Sequence, residues 1–453
     1  MLVQAIKSKI VSHISYIIAS QNEAAVIDPR RDCRVYLETA AEWDARIKYV
    51  FETHRNEDYV VGSQELAQLT QAVVFHGQGL PWAYGKTIND NQEVSLGLLK
   101  IRAISTPGHS PESTSYAVID TEAEDRVVMV FTGDTLFVGD VGRTDFLGPK
   151  MTPLMAAKMY DSIMTRLMPL GEDVIVCPAH GEGSVCGGKI RNREISTLGI
   201  EKTTNPMLKL SKEKFIEQKT LERHHTPPYF KQMEKYNLNG PPILGDFPIH
   251  HALKPSEFAE IAEKACIIDT RSPAAFGSAH IKGSYSLPQK RLSNIGWVVD
   301  YEQSILLVAE NLEALHYAVR SLFRLGYDKI EGYLTGGIEA WYKAGFPISE
   351  VCQVSVQKLK KMIESQEGIF ILDVRRENEW IEGRIEDSKR IYLGLLEKKT
   401  GELPRDVPIV VVCKTGNRSS FGTSILLRAG FEQVYNCLGG IEAWTKSGFP
   451  LEK

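Results

Sequence analysis

His54, Asn56, Asp58 and Tyr59 share one short stretch, residues 51–59. Before it, residues 47–51 read as a buried strand, and after it residues 60–69 read as the first turns of a helix. A strand-to-helix loop is where an α/β protein usually places its chemistry. Imidazole, amide and carboxylate together point to a metal-binding loop that has lost part of its ligand set. Three more loops carry His or Asp beside Pro or Gly: 106–111 with His109, 133–135 with Asp134, and 178–181 with His180. Pro and Gly stop a strand and let backbone approach an ion closely. Far downstream, the apolar residues 410–412 run into Cys413, Lys414, Thr415, Gly416, Asn417, Arg418 and Ser419, and a helical stretch follows. A cysteine at a strand end, ringed by amides that curl into a helix N-terminus, favours the thiolate. Arg418 adds a positive charge and Gly416 lets the loop close.

These loops need strands to hold them. Strands are expected at 14–18 and 24–28 as an opening hairpin, then at 99–104, 127–132 and 173–177, with a helix over 152–168. Residues 190–245 are polar and charged, and read as a helical extension and linker. Within them His224 and His225 are adjacent, and ligands converge from separate elements rather than from neighbours in a linker. Tyr229 and Phe230 mark an expected interface between copies of a homo-oligomer.

The last two hundred residues contain a repeat. The run Gly-Gly-Ile-Glu-Ala-Trp at 336–341 recurs at 439–444, residues 267–271 match 371–375, and 304–308 match 408–412. Each copy alternates strands with helices, which implies a parallel sheet covered on both faces. The copies differ where chemistry would sit, since Ala309 stands where the second copy has Cys413.

A chain of 453 residues is too long for one core, so two to four domains are expected. Apolar content of 43% and charged content of 24% are those of a soluble globular protein. The net charge of -4 gives no reason to expect nucleic acid or a membrane surface as partner. The first residues do not read as a signal peptide, and no apolar run is long enough to cross a bilayer. Seven cysteines without paired spacing argue for a reducing, cytoplasmic setting.

The Cys413 loop, together with residues 373–375 and the tryptophan-containing tail, resembles rhodanese-type sulfurtransferases. The resemblance covers residues 352–453. It implies that Cys413 accepts a sulfane sulfur as a persulfide, with Arg418, Lys414, Gly416 and Ser419 around it. The first copy looks like a degenerate rhodanese domain. The pairs Thr53-His54, Gly108-His109, Gly133-Asp134 and Ala179-His180 are similar to the metallo-β-lactamase fold, an αββα sandwich. Hydrolases of that fold use a loop of the form His-x-His-x-Asp-His. Here Asn56 and Tyr59 replace two of its histidines, which weakens a second metal site. His54, His109 and Asp134 remain, and two imidazoles with one carboxylate are the ligands of non-haem Fe(II) oxygenases. Residues 106–113, 133–145 and 178–187 look like the persulfide dioxygenases, and the whole order resembles their fusions with rhodaneses.

That resemblance implies one Fe(II) in a first domain (1–245), a degenerate rhodanese domain (246–350) and an active one (351–453). Its substrates would be a low-molecular-weight thiol persulfide and O₂. Arg143 is a candidate for a substrate carboxylate, with an ion pair to Asp145 or Asp140 as the alternative. Tyr59 is a candidate pocket residue, and Cys186 a candidate second sulfur acceptor. The rival expectation is a glyoxalase II-like zinc hydrolase fused to a rhodanese, and a third is a non-catalytic sulfur carrier.

Overall fold

The structure, a computed structural model, describes residues 1–8, 10–123, 125–193, 195–245 and 251–453. The chain divides into two compact units. The boundary expected after residue 245 falls against residues 246–250, which lie outside the described residues.

The first unit is built on two six-stranded sheets. One runs β1 (Leu2–Ser8), β2 (His13–Ser20), β3 (Glu23–Ile27), β4 (Arg46–Phe51), β5 (Val73–His76) and β6 (Lys86–Thr87) in chain order. The other contains β7 (Glu93–Leu96), β8 (Leu99–Ser105), β9 (Thr114–Asp120) and β10 (Arg126–Gly133), then β13 (Ile175–Pro178) and β14 (Ser196–Thr197). A small ribbon, β11 (Leu136–Phe137) with β12 (Asp140–Val141), separates β10 from β13. Alternating apolar residues of both sheets, among them Ile18, Phe51, Ile101, Tyr116 and Phe131, meet in the core between them. Helices carrying Tyr36 and Leu66 cover the outer face of the first sheet. Met159, Ile163 and Phe215 cover that of the second. This is the expected αββα sandwich.

The hairpin and the strands at β4, β8, β10 and β13 stand where the apolar runs place them, within one or two residues at most ends. The helix after β4 begins at Ser63, three residues later than its apolar pattern suggests. The expected helix over 152–168 is helical over Thr152–Asp161 and then widens into a π-turn, Ser162–Leu167. β1 and β9, like the shorter β5, β6, β7, β11, β12 and β14, lie outside the expected strands. β1 is an edge strand with most side chains exposed, and β9 opens on small polar residues.

The loops that carry chemistry follow the C-terminal ends of β4, β8, β10 and β13, so they gather at one edge of the sandwich. The β4 loop is held by a residue from the helical extension. Asn237, fully buried in the helix Phe230–Asn239, donates to the carbonyls of Asn56 (2.7 Å) and Tyr59 (2.8 Å) and accepts from the Val61 amide (3.0 Å). The same helix buries Phe230, and Tyr229 just before it is buried too, so these aromatics belong to the core of this unit and offer no surface to another copy. His224 pairs with Glu222 at 2.9 Å.

The second unit contains two five-stranded sheets of identical strand order. The first is β15 (His251–Leu253), β19 (Ile330–Leu334), β18 (Ile305–Val308), β16 (Cys266–Asp269) and β17 (Tyr285–Ser286). The second is β20 (Cys352–Val354), β24 (Val434–Cys437), β23 (Ile409–Val412), β21 (Phe370–Asp373) and β22 (Lys389–Arg390). All pairings are parallel. The duplication extends to single contacts. Asp269–Arg271 and Asp373–Arg375 form equivalent buried ion pairs. Trp341 and Trp444 each donate to the carbonyl of a proline six residues on, at 2.8 Å. No helix among the described residues is long and apolar enough to cross a membrane.

Replacing Asn237 with Ala is expected to destabilise the first unit by about 2–4 kcal/mol, since two buried carbonyls and an amide lose their partner. Urea or thermal unfolding reads this directly, and an unchanged midpoint would show that the loop does not depend on Asn237.

Candidate metal centre and cysteine loop

His54, His109 and Asp134 converge. Asp134 Oδ2 lies 3.8 Å from His54 Nε2 and 3.5 Å from His109 Nε2. The far nitrogen of each ring is tied down. His54 Nδ1 contacts the Thr53 hydroxyl at 2.9 Å, and that hydroxyl donates to Asp28 at 2.7 Å. His109 Nδ1 donates to the Arg143 carbonyl at 3.0 Å. Both rings are thereby oriented with Nε2 bare and facing the centre, as metal-ligating histidines usually are. Burial pushes the His54 pKa down to about 3, so this ring is neutral. Burial opposes charge on His109 as well, but Glu57 and Asp134 outweigh it and raise its pKa. Burial also works against the Asp134 carboxylate, yet His180, His54 and His109 hold its pKa far below the usual range.

Residues 54–59 contribute more than their types and spacing suggest. Glu57 was not among the candidates, yet its Oε2 is 3.4 Å from His109 Nε2 and 4.0 Å from His54 Nε2. Asp58 Oδ2 is 3.1 Å from His180 Nε2, and His180 Nδ1 bonds Asp134 Oδ1 at 2.7 Å. Burial disfavours charge on His180, but Asp134 and Asp58 outweigh it and raise its pKa well above normal. Cys186, fully buried, brings its sulfur within 4.8 Å of ligand atoms of Asp58 and His180, and likewise of His109 and Asp134. Burial and the surrounding carboxylates push its thiol pKa well up, so without a cation beside it Cys186 is a neutral thiol.

His54 Nε2, His109 Nε2, His180 Nε2, Asp134 Oδ2 and both oxygens of Glu57 and Asp58 are buried without a hydrogen-bond partner. Orphaned buried polar atoms are costly. The group His54, Glu57 and His109, whose ligand atoms lie within 4.8 Å of one another, fits a divalent cation, and Asp58, His180 and Cys186 form a neighbouring group.

The other candidates fall around this cluster. Asn56 turns back to donate to the His54 carbonyl at 3.2 Å. Tyr59 is 1% exposed and stacks on His13 with ring centroids 3.8 Å apart. Arg143 forms a two-pronged pair with Asp145 at 2.7 and 2.8 Å and lies over the Phe146 ring, leaving only Nη1 without a partner. Its pairing therefore follows the ion-pair alternative, while its carbonyl orients His109. His13 and His180 form part of the wall of a cavity of about 270 Å³ whose lining includes Lys7, Arg191 and Arg193.

In the second repeat, β23 delivers Cys413 to the start of the helix Asn417–Arg428. The Gly416 amide donates to Cys413 Sγ at 3.1 Å, and Ser419 Oγ lies 3.3 Å from it. Gly416 has φ 97°, a conformation glycine adopts without strain. Lys414 is exposed at the rim. Arg418 does not point freely at the sulfur, because its guanidinium makes two bonds to Glu379, at 2.6 and 2.7 Å. Arg291, from the first repeat, feels the charges of Arg418 and Cys413, and its buried Nε has no partner. In the first repeat Asn311 caps the helix after Ala309, and no thiol is present there.

Residues 11–180 match the metallo-β-lactamase superfamily, and residues 254–344 and 355–447 each match the rhodanese-like domain. The chain is a metallo-β-lactamase domain followed by two rhodanese-like domains. A metallo-β-lactamase structure from Staphylococcus aureus subsp. aureus COL aligns with TM-score 0.66 at 29% identity, covering 74% of this chain and 99% of that one. The mitochondrial persulfide dioxygenase ETHE1 of Bos taurus is 28% identical over 237 residues, 50% of this chain and 77% of the relative. A cytoplasmic hydroxyacylglutathione hydrolase of Arabidopsis thaliana is 33% identical over 171 residues, 37% of this chain and 62% of the relative. The metallo-β-lactamase domain thus has relatives of both kinds, and its own loop has to discriminate between them.

The rhodanese loop makes a pH prediction. Burial raises the Glu379 pKa, but its bonds to Arg418 win and bring it down to about 2 from a usual value near 4.5. A depressed carboxylate pKa contributes stability that is present above the unfolded value and is lost as pH falls through the folded one. Wild-type protein should therefore lose this contribution between about pH 4.5 and pH 2, and Glu379→Gln should lack it throughout. Urea unfolding across that range would show the two curves converging in acid. A constant gap would refute the pair's contribution.

Proposed function

We propose that this protein is an Fe(II)-dependent persulfide dioxygenase joined to a sulfurtransferase. In this reading residues 1–245 carry out the oxidation, 246–350 are a non-catalytic repeat and 351–453 transfer sulfur. The observation that carries it is the set His54, His109 and Asp134, whose facing atoms Nε2, Nε2 and Oδ2 are buried and unpartnered, while the loop after His54 lacks two of the histidines a dinuclear hydrolase uses. Two imidazoles and a carboxylate suit Fe(II) and leave positions open. Iron, when bound, supplies the redox chemistry by which O₂ reacts with the terminal sulfur of the substrate. The overall change is R–S–SH + O₂ + H₂O giving R–SH, sulfite and two protons.

The protein's own groups bind and orient. Thr53 and the Arg143 carbonyl hold the two imidazoles in the tautomer that presents Nε2. His180 fixes Asp134 from its other oxygen. The cavity beside His180, with Lys7, Arg191 and Arg193 in its lining, suits the anionic body of a low-molecular-weight thiol persulfide. In the second repeat Cys413 carries a sulfane sulfur, and the Gly416 amide and Ser419 hydroxyl stabilise its charge. Sulfite attacking the outer sulfur of the Cys413 persulfide would release thiosulfate and return the thiolate. All seven cysteines are free, in keeping with a reducing compartment such as the cytoplasm.

A second reading is a zinc thioester hydrolase. It is favoured by one observation, the cluster of Asp58, His180 and Cys186, which offers ligands for a second ion.

Oxygen-electrode measurements with thiol persulfides should show uptake in iron-loaded protein, reduced to background in Asp134→Ala. Cys413→Ser should keep the uptake and lose thiosulfate formation. Two zinc ions per chain with thioester cleavage, and no persulfide-dependent uptake, would instead establish the hydrolase.

A further inference from the structure

Glu57 is not part of the two-histidine, one-carboxylate set, and its surroundings do not explain it as a structural residue. Its side chain is 1% exposed, and neither oxygen makes a hydrogen bond. Arg55, the cation nearest in the chain, directs its guanidinium to Glu234 at 3.4 Å. A buried carboxylate that receives no hydrogen bond is unfavourable in a protein interior, and the cations whose charge reaches Glu57 are His109 and Arg55. Glu57 faces instead the bare nitrogens of His54 and His109.

The distances describe a cage. Glu57 Oε2 stands 3.4 and 4.0 Å from His109 and His54 Nε2, and Asp134 Oδ2 stands 3.5 and 3.8 Å from the same two atoms. The two carboxylates thus lie at matching distances from the imidazole pair. Ligand atoms bound at about 2.1 Å lie roughly 3.0 Å apart at right angles and roughly 3.4 Å apart in a tetrahedron. The observed separations lie within about 0.6 Å of the tetrahedral spacing and reach the right-angle one by contracting between about 0.4 and 1 Å. The loop is set for this, because Asn237 fixes the carbonyls on both sides of Glu57 and Asp58.

We propose that Glu57 is a fourth protein ligand, making the centre one of two imidazoles and two carboxylates. The proposal rests on His54, His109 and Asp134 being ligands. Position 57 then supplies a donor from the same loop in which Asn56 turns back to the His54 carbonyl. A second carboxylate makes the set harder, favouring Fe(II) or Mn(II) over Zn(II) and Cu(II), and its charge with that of Asp134 balances a divalent ion. Six-coordination would leave two sites for exogenous groups, enough for O₂ and one sulfur.

The test uses full-length metal-free protein titrated with Co(II), followed by its d–d absorption and by competition with a chelator. Wild type should bind one Co(II) at this centre, and Asp134→Ala should lose it. Glu57→Gln should bind at least about tenfold more weakly with altered bands, since even residues outside the ligand shell change affinity by 10–100-fold. Glu57→Asp, one methylene shorter, should fall between. Equal affinity and an unchanged spectrum in Glu57→Gln, with Asp134→Ala still deficient, would overturn the proposal and leave the three-ligand centre standing. No specific Co(II) binding by wild type would overturn both. If Glu57→Gln does not fold, a crystal structure of the Fe(II)-loaded chain decides. A Glu57 oxygen within about 2.4 Å of the metal supports the assignment, and one beyond about 3 Å overturns it.

Discussion

Asp134 divides its two oxygens between two tasks, and much of the first domain is arranged around that division. Oδ2 faces His54 and His109, while Oδ1 holds His180, whose other nitrogen meets Asp58. The resulting chain of charges runs from one candidate site into the other. Because every member is buried, each depends on the next to stay ionised or neutral. The sandwich places four strand ends at one edge so that these side chains can meet. A disturbance in any of the four loops is therefore felt at Asp134.

The two halves of the chain treat their chemistry differently. The metallo-β-lactamase domain assembles its centre from loops far apart in sequence, whereas the rhodanese loop draws its contacts to sulfur from seven consecutive residues, 413–419. That difference means that one substitution in a single loop is enough to remove the thiol from a repeat. Ala309 in place of the cysteine removes the thiol, while the strand order, the Asp269–Arg271 pair and the tryptophan-to-proline bond all persist. The surviving scaffold still positions Arg291 within electrostatic reach of Cys413.

Much of this was legible in the sequence. Apolar runs ending in Pro, Gly, His or Asp located β4, β8, β10 and β13, and the repeat announced two like sheets. His54, His109 and Asp134 do converge. Other features were hidden for physical reasons. Glu57 was overlooked because an acidic residue between Asn and Asp in a loop reads as solvated, and only burial shows otherwise. Asn237 carries no local signal at all, since its partners lie about 180 residues earlier. Tyr229 and Phe230 looked like an interface because they are aromatic in a polar stretch, yet that stretch folds back and buries them. Arg418 looked free to face the sulfur, and its partner Glu379 lies in a separate helix that the loop sequence does not reveal.

The Asn237 clasp also sets an order of events during synthesis. A chain leaves the ribosome from its N-terminus, and the strands of the sandwich are complete by residue 197. At that stage the loop holding His54 and Glu57 still lacks the side chain that fixes its backbone. It gains its final shape only after another forty residues have been made. A nascent chain stalled before Asn237 would have both sheets and a loose loop, and would give up a captured ion more readily than the finished domain.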